Sequence, residues 1–303
     1  MQGTRFKYIR ITFYCQNMNK KILIIGSLGM LGHELLKIFP NATAWDFENL
    51  DITDKKQVEQ KIAELKPEII MNAAAYNAVD KCEENEDQLK LAEKINGLAV
   101  GYLADASIKI QALLVHYSSN YIFDGNNKEG YNEDSTPKPI NKYGETKLLG
   151  EKEILKRNKL KYYIIRTSKL FGEKGSSGAA KDNFFDIMLN LSKSQRDIKT
   201  VDDELSNFTY APDLAKFTSD LIKNKYQSGI YHAVNEQPCT WHEGAKTLFD
   251  IIDKNVNLIP VNSGEFSRPA KRPKYGILLN NKVPKLRNYE DALREFIKLK
   301  ITF

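Results

Sequence analysis

Tyr143 and Lys147 stand four residues apart in Tyr143-Gly144-Glu145-Thr146-Lys147, and on a helix that spacing brings both side chains to one face. A free tyrosine has a pKa of about 10, too high for easy proton exchange at neutral pH. A neighbouring ammonium favours the phenolate and lowers that value, so the expectation is a phenol tuned by Lys147. A third group comes from His116-Tyr117-Ser118-Ser119-Asn120-Tyr121-Ile122-Phe123-Asp124-Gly125. A hydroxyl just past a strand can bond a substrate carbonyl oxygen and share the developing oxyanion with a tyrosine. Ser119 is expected in that role, with Ser118 as a structural neighbour. Tyr-x-x-x-Lys occurs once among the fifteen tyrosines. Composition alone would supply roughly one such pair, so the spacing proves little without its setting.

The setting is an alternation of buried strands and amphipathic helices. Strands are expected at 21–26, 42–45, 69–72, 112–117 and 162–166, with helices at 30–39, 55–65, 89–106 and 141–156. That order makes a parallel sheet covered on both faces, an α/β doubly wound Rossmann domain with its crevice at the carboxyl ends of the strands. Tyr143 then opens the helix after the fourth strand, where a site belongs. Past Arg166 the rhythm breaks: 172–178 is rich in Gly and Ser and reads as a mobile loop, and 260–273 holds three of the ten prolines. The expected division is an extension at 1–17 outside the fold, a nucleotide-binding domain at 18–168, and mainly a smaller substrate lobe at 169–303, with some segments returning to the first domain.

Lys21-Ile22-Leu23-Ile24-Ile25 runs straight into Gly26-Ser27-Leu28-Gly29-Met30-Leu31-Gly32. Glycines let the backbone approach a pyrophosphate, and the following helix points its positive end at the anion. Gly26, Leu28, Gly29, Met30, Leu31 and Gly32 are therefore expected on a dinucleotide. Asp46 ends the second strand, where a carboxylate accepts from adenosine ribose hydroxyls and repels a 2′-phosphate. This favours NADH over NADPH. Asp51 and Ile52 are placed to bracket an adenine, and Ala73-Ala74-Ala75 leaves room for the cofactor across the sheet. Tyr143 and Lys147 complete its contacts, Lys147 through the nicotinamide ribose.

The 303 residues are 42% hydrophobic and 28% charged, the balance of a globular protein, and no apolar run reaches membrane-span length. Residues 1–17 have too short an apolar centre, and no small-residue cleavage site, for a secretory signal. Three separated cysteines and four scattered histidines form neither a disulfide framework nor a metal site. A reducing cytoplasm is the expected compartment. The net charge of +6 is spread out, without the basic face interleaved with aromatics that nucleic acid would require.

Together these stretches resemble the extended short-chain dehydrogenase/reductases, and specifically the dTDP-4-dehydrorhamnose reductase family. The matching blocks are Gly26–Gly32, Asn72-Ala-Ala-Ala-Tyr76-Asn77-Ala78-Val79-Asp80-Lys81, His116–Gly125, Tyr143–Glu151, Ile165–Ser168 and Lys271-Arg272-Pro273, spanning nearly the whole chain. The resemblance implies hydride transfer from NADH or NADPH to C4 of a nucleotide-linked 4-keto-6-deoxy sugar, in deoxysugar and surface-polysaccharide synthesis. Tyr143 would protonate the new alkoxide, Ser119 would fill the family's threonine place, and Arg272 would meet the diphosphate. Asn77, Val79, Asn120, Tyr121 and Lys169 complete the substrate side. The partner is thus a nucleotide sugar, and a homodimer is compatible with the sequence.

Departures concentrate on that side. Asn120 replaces the family's Asp, Asn77 a Thr, Lys169 a pocket-walling Trp and Gly276 a Ser, while Ser206-Asn207-Phe208-Thr209 replaces Gly-x-Pro-Thr. A related but different sugar, or a different stereochemical outcome, is expected. Dehydration is disfavoured because Asn120-Tyr121 lacks the Asp-Glu acid/base pair that it needs. A nucleotide-sugar epimerase, or a non-catalytic regulatory subunit like that of methionine adenosyltransferase, remains as an alternative.

Overall fold

The computed structural model describes residues 20–178 and 180–301, so the extension read at 1–17 lies outside the described residues. Strand β1 (Ile22–Ile25) is buried throughout and turns directly into α1 (Met30–Ile38). Next come β2 (Thr43–Trp45), α2 (Lys55–Leu65) and β3 (Ile69–Asn72). Asp54 starts α2 by accepting from the Lys56 and Gln57 N–H groups, which a helix start otherwise leaves unpaired. Three helices follow β3: α3 (Val79–Glu84), α4 (Glu86–Glu93) and α5 (Ala99–Lys109). The chain then runs through β4 (Leu113–Ser119), α6 (Lys142–Leu155) and β5 (Lys161–Thr167).

Short elements occupy the rest. They are β6 (Leu170–Phe171), α7 (Phe184–Leu191), β7 (Asp197–Val201), β8 (Leu205–Ser206), β9 (Thr209–Tyr210), α8 (Ala211–Lys223), β10 (Gly229–His232), α9 (Trp241–Ile251), β11 (Asn257–Val261), β12 (Tyr275–Gly276) and α10 (Tyr289–Ile301). Among the described residues the main sheet has six strands in the order β10-β5-β4-β3-β1-β2, all parallel. Strand β10 and helix α8, which packs on α1, belong to this sheet layer although they lie far along the chain. The order reverses between β1 and β3, which opens a crevice at their carboxyl ends.

One apolar cluster covers each face of the sheet, with Ile24, Leu35, Met71 and Leu214 on one side and Leu23, Ile25, Val58, Leu103 and Ile164 on the other. A third cluster draws on Phe171, Phe185, Phe208, Phe249 and Phe296. Many of its rings meet edge-on, for example Phe171 and Phe185 at 4.9 Å, while Phe171 stacks on Tyr210 at 5.1 Å, both arrangements that the ring quadrupoles allow.

The helix expected at 89–106 begins earlier and is interrupted by a π turn at Lys94–Leu98. Tertiary hydrogen bonds account for it. The buried Asn96 side chain accepts from the Tyr76 N–H at 2.9 Å and donates to the Tyr76 carbonyl and the Thr146 hydroxyl, both at 3.0 Å. The π turn thereby ties the segment after β3 to α6, and such turns recur at functional sites.

Candidate active site

The glycine turn sits at the mouth of the crevice. Gly26 has φ of +79°, and a Cβ there would stand 2.6 Å from the Ala74 nitrogen. A Cβ on Gly32 would press into the Gly26 carbonyl oxygen. A side chain at either position would force the turn off the neighbouring backbone, so glycine is needed for the tight strand–turn–helix approach that a dinucleotide's pyrophosphate uses, and these residues fit that group. Leu28 is exposed, Met30 opens α1 and Leu31 is buried beneath it. Asp46 reaches over the turn: one carboxylate oxygen accepts from the Leu28 N–H at 3.0 Å and the other from the Phe47 N–H at 2.9 Å. Ala73, Ala74 and Ala75 are half-buried beside it. Asp51 turns its carboxylate to the Thr53 N–H and hydroxyl, and Ile52 packs into the core, 6% exposed. The segment read as a mobile loop is docked here, because Ser176 and Ser177 donate to the Leu28 carbonyl at 2.9 and 3.1 Å.

Tyr143, Ser119 and Lys147 lie together below the crevice. Asn141 caps α6 by accepting from the Gly144 N–H at 2.7 Å, so the helix starts one residue before Tyr143. Ser119 ends β4 and accepts from the Tyr121 N–H at 3.2 Å. Burial pushes the Tyr143 phenol well above its ordinary range, Tyr121 pushes the same way, and the nearby Ser119 hydroxyl opposes them. The expected lowering by Lys147 is not what sets this balance. The buried Lys147 ammonium instead donates to the Tyr117 carbonyl at 2.8 Å, and burial brings its own pKa down to about 8 against the pull of Glu151. Glu151 is in turn locked to Arg166 in a fully buried pair, at 3.0 and 2.7 Å.

The substrate side is assembled from distant parts of the chain. Tyr121 meets Tyr143 edge-on at 5.6 Å, and Arg272 lies near enough to oppose the rise that burial gives the Tyr121 pKa. Arg272 is itself clamped by Asp80, at 2.6 and 2.7 Å, and this holds the Asp80 carboxyl below its usual range. The loop carrying Arg272 is further pinned by Asn141, which donates to the Lys271 carbonyl at 2.7 Å. Asn120 donates to the Gly276 carbonyl at 3.0 Å. Val79 packs beside Tyr143, whereas Asn77 is exposed. Lys169 lies in the same region with its ammonium 4.2 Å from the Trp241 ring and 5.0 Å from that of Phe208.

Asp80, Glu204, Arg268, Trp241 and Asn141 were not anticipated as parts of this site. Glu204 accepts from the Trp241 indole at 3.0 Å and pairs with Arg268. The Thr240-x-x-Glu243 capping box marks where α9 starts and so points to Trp241 one residue on, but nothing local pairs residues 37 or 64 positions apart.

Among the described residues no helix is long and apolar enough to cross a membrane. Residues 20–301 match the family described as RmlD substrate binding domain. The chain is 34% identical over 271 residues to a dTDP-4-dehydrorhamnose reductase of Salmonella typhimurium, covering 83% of this chain and 87% of that one. It is 32% identical to the spore coat polysaccharide biosynthesis protein SpsK of Bacillus subtilis, covering 92% and 97%. The crystal structure of dTDP-4-dehydrorhamnose reductase from Bacillus anthracis in complex with NADP superposes with a TM-score of 0.86 at 35% identity, covering 93% of this chain and all of that one. Set beside the parallel sheet, the glycine turn and the Ser119–Tyr143–Lys147 cluster, these matches settle the kinship: the chain belongs to the dTDP-4-dehydrorhamnose reductase family.

Proposed function

We propose that this chain is an NAD(P)H-dependent oxidoreductase that reduces the C4 keto group of a nucleotide-linked 4-keto-6-deoxy sugar, in the synthesis of surface polysaccharide. The observation that carries the reading is the clustering of Ser119 at the carboxyl end of β4 with Tyr143 and Lys147 on one face of α6: Lys147 donates to the Tyr117 carbonyl two residues before Ser119, and Tyr121, whose N–H donates to Ser119, meets the Tyr143 ring edge-on at 5.6 Å. The bound nicotinamide supplies a hydride to the carbonyl carbon. Tyr143 supplies the proton. Its pKa is raised by burial, so it is fully protonated at neutral pH, and an alkoxide is a stronger base than the phenolate left behind. Ser119 holds the carbonyl oxygen as charge develops on it. Lys147, kept in place by the Tyr117 carbonyl, would give its remaining N–H donors to the cofactor ribose.

Arg272 supplies the positive charge for the diphosphate, delivered from a loop that Asp80 and Asn141 hold against α3 and α6. Glycines 26, 29 and 32 take the cofactor's pyrophosphate, with Ala73–Ala75 alongside. Asp46, poised over the glycine turn, supports a preference for NADH, because a fixed carboxylate repels a 2′-phosphate. The test is oxidation of NADH and NADPH with dTDP-4-keto-6-deoxy sugar, beside its UDP-, GDP- and CDP-linked counterparts.

A further inference from the structure

We propose that Lys169 selects the sugar, its ammonium donating to an acceptor oxygen on the hexose of the bound nucleotide sugar. This deepens the reductase reading and rests on it. Thr167 is in register with Ser119 across β4 and β5, and Lys169 follows two residues later. The Trp241 ring beside the Lys169 ammonium donates its indole N–H to Glu204, and Glu204 and its partner Arg268 face Tyr121, which meets Tyr143 edge-on. Lys169 is thereby joined to the reacting end of the site rather than to the glycine turn.

The ammonium is caged in a way that leaves donors for a ligand. Trp241 and Phe208 offer ring faces, which stabilise a cation without consuming its N–H bonds. One of the three N–H bonds goes to the Cys239 carbonyl at 3.1 Å. Among the described residues no carboxylate stands within ion-pair distance of it. The charged groups that face it are Glu204, taken up by Arg268 and the Trp241 indole, and Glu243, which accepts from the Thr240 N–H at 2.8 Å. The Cys239 thiol beside it is pushed up to about 11 by burial and is neutral. Burial brings the Lys169 ammonium down to about 8. Its backbone holds φ of +38°, in the left-handed region that a lysine rarely adopts, and such strain persists where the surroundings enforce it. A tryptophan at this position would offer the sugar an apolar wall, whereas an uncancelled ammonium requires an oxygen.

The test uses the whole chain with NAD(P)H and the nucleotide sugar that it reduces. Lys169→Met and Lys169→Gln are each expected to raise KM for the sugar at least about tenfold, the loss of a hydrogen bond to a charged group. The kcat and the cofactor dissociation constant are expected to stay within about threefold, and Lys169→Arg to restore much of the lost affinity. A loss seen with a 6-deoxy sugar makes the acceptor a ring hydroxyl or keto oxygen. One confined to a 6-carboxylated sugar makes it a carboxylate. Turnover by the wild type with KM unchanged in folded Met and Gln variants overturns the inference and leaves the reductase reading standing. A wild type that reduces none of the four nucleotide-linked 4-keto sugars overturns both.

Discussion

Asn120 donates from Nδ2 to the Gly276 carbonyl oxygen at 3.0 Å, and a Cβ on residue 276 would stand 2.5 Å from that same nitrogen. Two departures from the family pattern, Asn for Asp and Gly for Ser, are therefore one physical change. The amide needs both the carbonyl to bond and the space that glycine leaves. A carboxylate at 120 would set two acceptors against each other. We expect Asn120→Asp to lower stability by about 1–3 kcal/mol, the cost of a buried polar atom left unpaired, and Gly276→Ser to do likewise through the clash. Because the residues touch, a double-mutant cycle in urea is expected to give a coupling of about 1 kcal/mol or more. Additive effects would show that the two substitutions are independent.

The nucleotide-binding half was legible because its signals are local. Alternating strands and helices, and a glycine turn straight after a buried strand, announce themselves within a dozen residues. The substrate half was not, because its pairs are made by folding: Asp80 with Arg272 across 192 positions, Glu204 with Trp241 across 37. Even within the legible half, the π turn at Lys94–Leu98 depends on Asn96 finding Tyr76 and Thr146. The tuning of Tyr143 was misjudged for a related reason. The i,i+4 spacing shows that Lys147 shares its face, but not that the Tyr117 carbonyl claims the ammonium or that burial dominates the phenol.

The proposed preference for NADH rests on Asp46. Its carboxylate is already fixed by the Leu28 and Phe47 N–H groups, so its charge cannot swing away from a 2′-phosphate. Replacing it with Ser is expected to improve kcat/KM for NADPH relative to NADH by at least about tenfold, the removal of one close charge repulsion. An unchanged ratio would place the discrimination elsewhere.

His232 is expected to make the fold acid-sensitive. It is fully buried, with Nδ1 3.0 Å from the Leu279 carbonyl and Nε2 3.4 Å from an Arg166 nitrogen, and burial and Arg166 lower its pKa to about 3. The unfolded chain has an ordinary histidine near 6.5, so between about pH 6.5 and 3 the unfolded state binds the extra proton. This stability is complete above pH 6.5 and is lost as pH falls toward 3, about 3 kcal/mol by pH 4.5. The buried His116, also held well below its ordinary value, acts in the same direction. The urea midpoint of His232→Gln should fall less than that of the wild type between pH 7 and pH 4.5. Parallel falls would remove His232 as the cause.

Tyr143 is proposed to supply the proton for reduction of a nucleotide-linked 4-keto sugar. The most direct test of that role is NAD(P)H oxidation with dTDP-4-keto-6-deoxy sugar by the wild type and by Tyr143→Phe, with cofactor binding followed separately. Wild-type turnover is expected, with a fall of about 10² to 10⁴-fold in the variant and nearly unchanged cofactor affinity. Equal turnover by wild type and variant would contradict it.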